Sequence, residues 1–180
     1  MITRAAKVVL VAGLAIYYTL VVFNNVTDFD SNYQFVRHVL MMDTTFPGNH
    51  GIWRALPWRW AHLLFYLGII AWEMVTTVLL WWAVVRLGRA VRGPASGSNA
   101  AGFDEAGFDE ATFNKAKGVA VIALTLAMTM WLVAFLSVGA EWFLMWQSRA
   151  WNGQEAAFRM FAVVGVVLLI VLQPDGDGQA

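Results

Sequence analysis

The chain has no cysteine, only four prolines and three histidines, and just 13% of its 180 residues are charged. Without cysteine it can form no disulfide, no iron–sulfur cluster, no thiol nucleophile and no thiolate zinc site. Twelve Lys and Arg balance twelve Asp and Glu. With no basic surplus there is no electrostatic footprint for nucleic acid. A Gly-rich phosphate loop, a GxSxG elbow and an HExxH helix are all missing too, so the expectation is a non-enzymatic protein with no cofactor.

What the chain does contain is apolar: 59% hydrophobic residues and a mean hydropathy of +0.59, where soluble domains are nearer a quarter charged. A transmembrane helix needs about 20 mostly apolar residues to cross roughly 30 Å of hydrocarbon. Four runs qualify, at residues 5–23, 58–87, 117–147 and 156–172. The fold class expected is therefore all-α, an integral membrane four-helix bundle forming one membrane domain over residues 1–180. The first run is expected to stop at Asn24-Asn25, where two amides and then Asp28 and Asp30 would be costly in lipid. Arg4 and Lys7 before it resemble a signal peptide, but no small-residue cleavage site follows, so it reads as a retained signal anchor. The fourth run is short and carries Arg159 near its start, where a guanidinium can snorkel to the interface.

Basic residues stay preferentially on the cytoplasmic side. Arg4 and Lys7 precede the first run, and Arg86, Arg89, Arg92, Lys115 and Lys117 flank the second connection. Both termini are thus expected to be cytoplasmic. Trp53, Trp58, Trp60, Trp142, Trp146 and Trp151 would form an aromatic belt at the opposite, outer boundary. The cytoplasmic linker, residues 92–114, is rich in Gly, Ser and acids and repeats Ala-Gly-Phe-Asp-Glu twice. Flexible linker is its default reading, with an amphipathic surface helix through Phe103, Phe108 and Phe113 as the alternative. The outer segment, residues 24–57, is long enough to fold onto the helix ends. A short helix is expected over residues 33–42, capped by Asp30, Ser31 or Asn32, with Val36, Val39 and Leu40 on its apolar side.

An ionisable residue at bilayer depth costs at least about 2.5–3.5 kcal/mol on insertion scales, so each needs a partner or a purpose. Glu73 stands midway along the second run, and no basic residue of the chain reaches that depth. The uncharged form is the cheaper one there, unless a partner from outside the chain supplies a cation. His62 and Tyr66, eleven and seven residues away, share its helical face. Three readings follow: a hydrogen bond to a neighbouring helix, with Thr129 the candidate partner; proton or ion handling; or a docking contact with another subunit. Glu141, about 9 Å inside the outer end of the third run by helical rise, is expected to form a structural ion pair with Arg159. His38 and His50, near Asp28, Asp30 and Asp43, are better suited to interfacial hydrogen bonding than to a metal site.

The outer residues carry a resemblance. Residues 23–32 (FNNVTDFDSN), 38–47 (HVLMMDTTFP), Trp53-Arg-Ala-Leu, 141–148 (EWFLMWQS) and Trp151-Asn-Gly-Gln are similar to domain-of-unknown-function family 2165, a group of bacterial predicted small integral membrane proteins. The resemblance implies four helices in a bacterial inner membrane and brings no activity to transfer. It draws attention to Asn24, Asn25, Asp28, Asp43, Trp146, Trp151 and Asn152 as outer-cap contacts. The expected role is an accessory or structural subunit docking on a larger membrane complex, with the bilayer and a protein partner, or a second copy, as its contacts. The alternatives are a small transporter or proton conductor using Glu73, and a quinone- or lipid-handling protein.

Overall fold

The computed structural model describes residues 1–92 and 110–175, and every regular element among them is helical. In chain order the α-helices are α1 (Ile2–Thr27), α2 (Phe29–Met41), α3 (Arg59–Arg92), α4 (Glu110–Thr129) and α5 (Gln154–Leu172), with 3-10 turns at Ile52–Arg54 and Met145–Gln147. α4 continues directly into a π-helix, Met130–Trp142. Four runs are long and apolar enough to cross a membrane: α1, α3, the joined α4–π helix, and α5. The protein is an integral membrane helical bundle in which α1 packs on α3, α3 on α4, α4 on α5, and α5 back on α1.

Two boundaries differ from expectation, for identifiable reasons. α1 runs through Asn24-Asn25 to Thr27 instead of stopping at Phe23. The Asn25 amide turns inward and is hydrogen-bonded, so the lipid penalty that should have ended the helix does not arise. The third span begins at Glu110, because Phe113, Ala116 and Ala120 already form a fully buried stripe at helical spacing. It ends at Trp142, short of Gln147, and Leu144 just beyond takes a left-handed conformation (φ 53°). Residues 93–109, which hold the Gly-Ser stretch and the tandem pentamer with Phe103 and Phe108, lie outside the described residues.

Small residues let the helices approach. Ala116, Ala120, Ala123 and Ala127 of α4 are buried against their neighbours, as expected where backbone packing and hydrogen bonds, not hydrophobic expulsion from water, hold helices together. Side-chain hydrogen bonds also join the spans. Trp131 Nε1 donates to Tyr18 Oη at 2.8 Å, and Tyr18 donates to the Ala127 carbonyl at 3.3 Å. Trp72 Nε1 donates to the Leu126 carbonyl at 3.1 Å. Leu126 and Ala127 lie in the last turn of α4, just before the π-helix begins at Met130, so donors from α3 and α1 reach the backbone beside that change of pitch. Farther on, Ser137 Oγ follows the wider pitch by donating to the Leu132 carbonyl at 2.9 Å.

The start of α1 and the residues just beyond α5 lie at the same end of the bundle, held by a buried cluster. Lys7 Nζ donates to Asp175 Oδ1 (2.7 Å) and to the Gln173 carbonyl (2.6 Å), and Lys117 Nζ to Asp175 Oδ2 and the same carbonyl (both 2.8 Å). Arg4 adds a bond to the Asp175 carbonyl at 2.8 Å. The Asp175 side chain is wholly buried. Burial pushes its carboxyl up, but the bonds and charges of Lys117 and Lys7 outweigh that and hold it below the usual aspartate range.

The opposite end is capped by the α1–α3 connection. α2 buries Tyr33, Val36, Val39 and Leu40 and closes on a left-handed Met42 (φ 52°). None of Asp30, Ser31 and Asn32 caps it: α2 starts earlier, at Phe29, and Asp28 at its N-cap makes no side-chain capping bond. Thr44 Oγ1 donates to Ser148 Oγ at 2.8 Å and Phe46 N to Gln147 Oε1 at 3.3 Å, tying this connection to the loop before α5.

Candidate functional site: a two-chambered cleft under α2

Glu73, which is 2% exposed, stands at the end of a short hydrogen-bond chain through Asn25 of α1 and Tyr66 of its own helix. Asn25 Nδ2 donates to Glu73 Oε2 at 2.6 Å, and Tyr66 Oη donates to the Asn25 backbone carbonyl at 3.0 Å and its Oδ1 at 3.3 Å. The amide of α1 is the partner that the second span's carboxyl needed. Tyr66 lies seven residues before Glu73 on the same face of α3, two turns toward the cap, so both side chains reach the end of α1.

The expected partner of Glu73, Thr129, does not meet it. Its hydroxyl bonds its own helix at the Thr125 carbonyl, 2.7 Å away, as threonine often does in membrane helices. His62 is also off this network: Nε2 bonds the Leu56 carbonyl at 2.7 Å, fastening the start of α3 to the preceding loop. Glu73 is level with Asn25, which is eighteen residues, or about 27 Å by helical rise, from Lys7 along α1, toward the capped end of that helix.

Glu141 and Arg159 are both exposed and form no ion pair, the ion pairs among the described residues being Lys7–Asp175, Lys117–Asp175 and His38–Asp43. With the π-helix ending at Trp142, Glu141 falls in its last turn at the membrane edge and needs no buried partner. It is Arg54 that serves this helix end. Its Nη1 donates to the Glu141 and Trp142 carbonyls at 3.3 and 3.0 Å, a cation placed on the negative end of a helix, while its guanidinium lies against both the Trp53 and Trp142 rings.

The remaining cap residues divide between the cavity and the outer cap. Asn24 is exposed and lines the chamber beside Asn25. Asp28, at the turn from α1 to α2, is exposed, and its carbonyl accepts from Asn32 at 3.4 Å. Asp43 bonds His38 Nδ1 at 2.9 Å, and the His38 ring stacks on Trp151 at 4.7 Å. Trp146 packs edge-on against Phe46, and Asn152 Oδ1 accepts from Gln154 N at 3.0 Å at the start of α5. Asn25-Val-Thr27 has the spacing of a glycosylation acceptor, but its amide is buried and engaged.

Glu73, Asn25 and Tyr66 line an inner chamber of about 340 Å³, bounded also by Val21 of α1, Trp131 of the π-helix and Gly153. Beside it lies an outer chamber of about 500 Å³ whose walls are almost wholly apolar, including Leu64, Phe65, Trp72, Val133 and Phe143. Phe35, Val36, Ile69 and Phe135 line both, so one wall of side chains separates and joins them. α2 forms the roof. α3 packs closely along α4 but draws away from the π-helix, and the gap between them is the outer chamber. Leu64, Phe65, Gly68 and Val133 on its rim are exposed on the outside of the bundle. π-helical turns in spanning helices recur at functional sites, and here the wider turn carries Trp131, Phe135 and Gly139 along the cavity side.

Sequence patterning had reached Glu73 and Tyr66 through polarity at depth, and Asn25 only as a cap residue. Phe35, Trp131 and Phe135 carried no signal of their own, because apolar residues in an apolar helix look like core or lipid face. The π-helix left no compositional trace either.

A family model described as a predicted small integral membrane protein, DUF2165, matches residues 3–174. No curated protein and no solved structure matches the chain.

Proposed function

The chain belongs to that family of predicted small integral membrane proteins, and on this premise we propose that it is a non-enzymatic protein that binds a lipid-like amphiphile in the cleft under α2. One observation carries the reading: an apolar chamber open to the side of the bundle shares a wall with a chamber that contains a polar triad. Cavities of about 300–1,000 Å³, mostly apolar with a few convergent polar groups, are the form small-molecule sites take. The rim formed by Leu64, Phe65 and Gly68 would admit a chain sideways from the bilayer, leaving its polar end at Asn25, Tyr66 and Glu73. Exposed Arg86, Arg89 and Arg92 at the end that also carries the start of α1 and the residues just beyond α5 support placing that end in the cytoplasm, with the cleft in the outer leaflet of a bacterial inner membrane.

The accessory-subunit reading drew part of its support from a second-span carboxyl without a cation of the chain beside it; Asn25 gives that carboxyl a hydrogen bond instead, so an outside cation is not needed to account for it. Its remaining support is the aromatic cap, where Trp53, Trp58, Trp60, Trp142 and Trp146 are exposed, a composition as suited to a membrane interface as to a protein interface. A proton path through Glu73 has less support, since the network ends at Tyr66 and does not include His62.

Native mass spectrometry of protein extracted in mild detergent tests the proposal. The expected result is about one amphiphile retained per chain and displaced in a variant that fills the outer chamber, Gly68→Trp. Protein carrying only a random sample of bulk lipid, unchanged by that substitution, would rule it out. Stoichiometric recovery of a second protein would favour the accessory reading.

A further inference from the structure

The geometry around Glu73 points to the chemistry of the ligand's polar end, and we propose that Glu73 is held there as a neutral carboxylic acid that donates its hydrogen to a carbonyl oxygen of the bound amphiphile. This inference rests on the cleft being an amphiphile site. The hydrogen-bond network has a direction: Tyr66 donates to Asn25, and Asn25 donates to Glu73 Oε2. That oxygen is therefore an acceptor. Among the described residues no Lys, Arg or His forms an ion pair with Glu73, and its second oxygen has no hydrogen-bond partner. An ionised carboxylate with a single amide donor, buried in a bundle surrounded by lipid, would be left uncompensated, so the proton stays on.

A neutral carboxyl differs from a carboxylate in what it asks of a ligand. With Oε2 serving the amide, the hydrogen sits on Oε1, which bonds none of the described residues around the chamber and is left to meet an acceptor on a ligand. A carbonyl fits: it accepts without donating and carries no charge to desolvate. Two membrane molecules present that group on long chains, an isoprenoid-type quinone and an ester-linked glyceride. An alkylamine would be the opposite case, because it would require Glu73 to ionise and pair with it.

Wild type, Glu73→Gln and Glu73→Leu in detergent micelles are titrated with decylubiquinone, dioleoylglycerol and octadecylamine, with tryptophan fluorescence as the readout. Gln keeps an N–H donor and an acceptor for Asn25, whereas Leu keeps neither. The expected pattern is binding of one carbonyl probe, unchanged within about threefold in Glu73→Gln and weakened about tenfold or more in Glu73→Leu. Which of the two carbonyl probes binds names the source. Equal loss in Gln and Leu, or preference for the amine with loss in Gln, overturns the neutral-donor inference while leaving the amphiphile site standing. If no probe binds wild type and the purified protein carries no amphiphile, the site reading itself falls, and this inference with it. Should Glu73→Leu not yield monodisperse protein, Glu73→Met takes its place, and the wild-type to Gln comparison alone can still refute the idea.

Discussion

Asp175 and Glu73 are both carboxyls enclosed by a helical bundle, near its opposite ends, and their surroundings differ in kind. Asp175 has a lysine on each oxygen and an arginine on its backbone carbonyl. Glu73 has one amide on one oxygen. The first cluster joins the start of α1, the start of α4 and the chain beyond α5, so its charges act as a clamp at that end of the bundle. The second lies in a cavity and leaves hydrogen-bonding capacity over. A buried group with every bond made contributes to the fold, and one with a bond left open is the place to look for a ligand.

The contrast is broken most severely at the clamp. Asp175→Ala would leave Lys7 and Lys117 facing each other without a counter-charge, and removing one partner of a buried pair typically costs about 3–5 kcal/mol. The expected outcome is a large drop in the thermal midpoint in detergent, partly restored by adding Lys7→Met. A midpoint unchanged by Asp175→Ala would mean that water reaches the cluster and that it holds nothing together.

Acid offers a second way to open the clamp without mutation. The Asp175 carboxyl is held below its ordinary value, so the unfolded chain takes up its proton first as pH falls. The clamp's contribution is then fully present above the ordinary aspartate range, near pH 4, and is lost as pH drops toward and through the folded value. Thermal midpoints of wild type should therefore fall more steeply below about pH 4 than those of Asp175→Asn, which lacks this titration. Parallel acid limbs in the two proteins would remove Asp175 as the cause.

The spans and the all-helical class were legible in the sequence because about twenty consecutive apolar residues have few other uses. The partners of the polar residues were not, since they depend on how helices are rotated against one another. Asn24-Asn25 looked like a helix stop because amides are costly in lipid, and only the packing of α1 on α3 turns Asn25 inward to Glu73. Glu141 looked buried because the third span seemed to run on to Gln147. The clamp escaped notice for a related reason: Arg4, Lys7 and Lys117 were read for their charge bias across the membrane, and nothing local says that they converge on Asp175, more than fifty residues from the nearest of them.

A smaller effect sharpens the rule that open bonds mark function, because Thr76 is an exception to it. One turn from Glu73, Thr76 is fully buried, and its hydroxyl has no hydrogen-bond partner among the described residues, yet it lines neither chamber. Membrane helices gain on average only about 0.6 kcal/mol from a side-chain hydrogen bond, and a hydroxyl without one is a cost. Thr76→Val should raise the thermal midpoint by the equivalent of about 1 kcal/mol or less and leave ligand retention alone. A loss of stability would show that the hydroxyl bonds a carbonyl of its own helix in solution.

The smallest expected change is the one that separates the two carboxyls most cleanly. If Glu73 is neutral, Glu73→Gln exchanges one uncharged group for another of nearly the same shape, and Asn25 keeps an acceptor. Stability should then move by no more than about 0.5 kcal/mol, the range of substitutions that disturb no packing or pairing. If Glu73 were ionised, the same substitution would remove an uncompensated buried charge and stabilise the bundle well beyond that limit. Asp175→Asn performs the matching exchange at the clamp and should destabilise, because there the charge is what Lys7 and Lys117 require. Opposite responses to one chemical change, one near zero and one a clear loss, are what a neutral donor at one end and a charged clamp at the other demand.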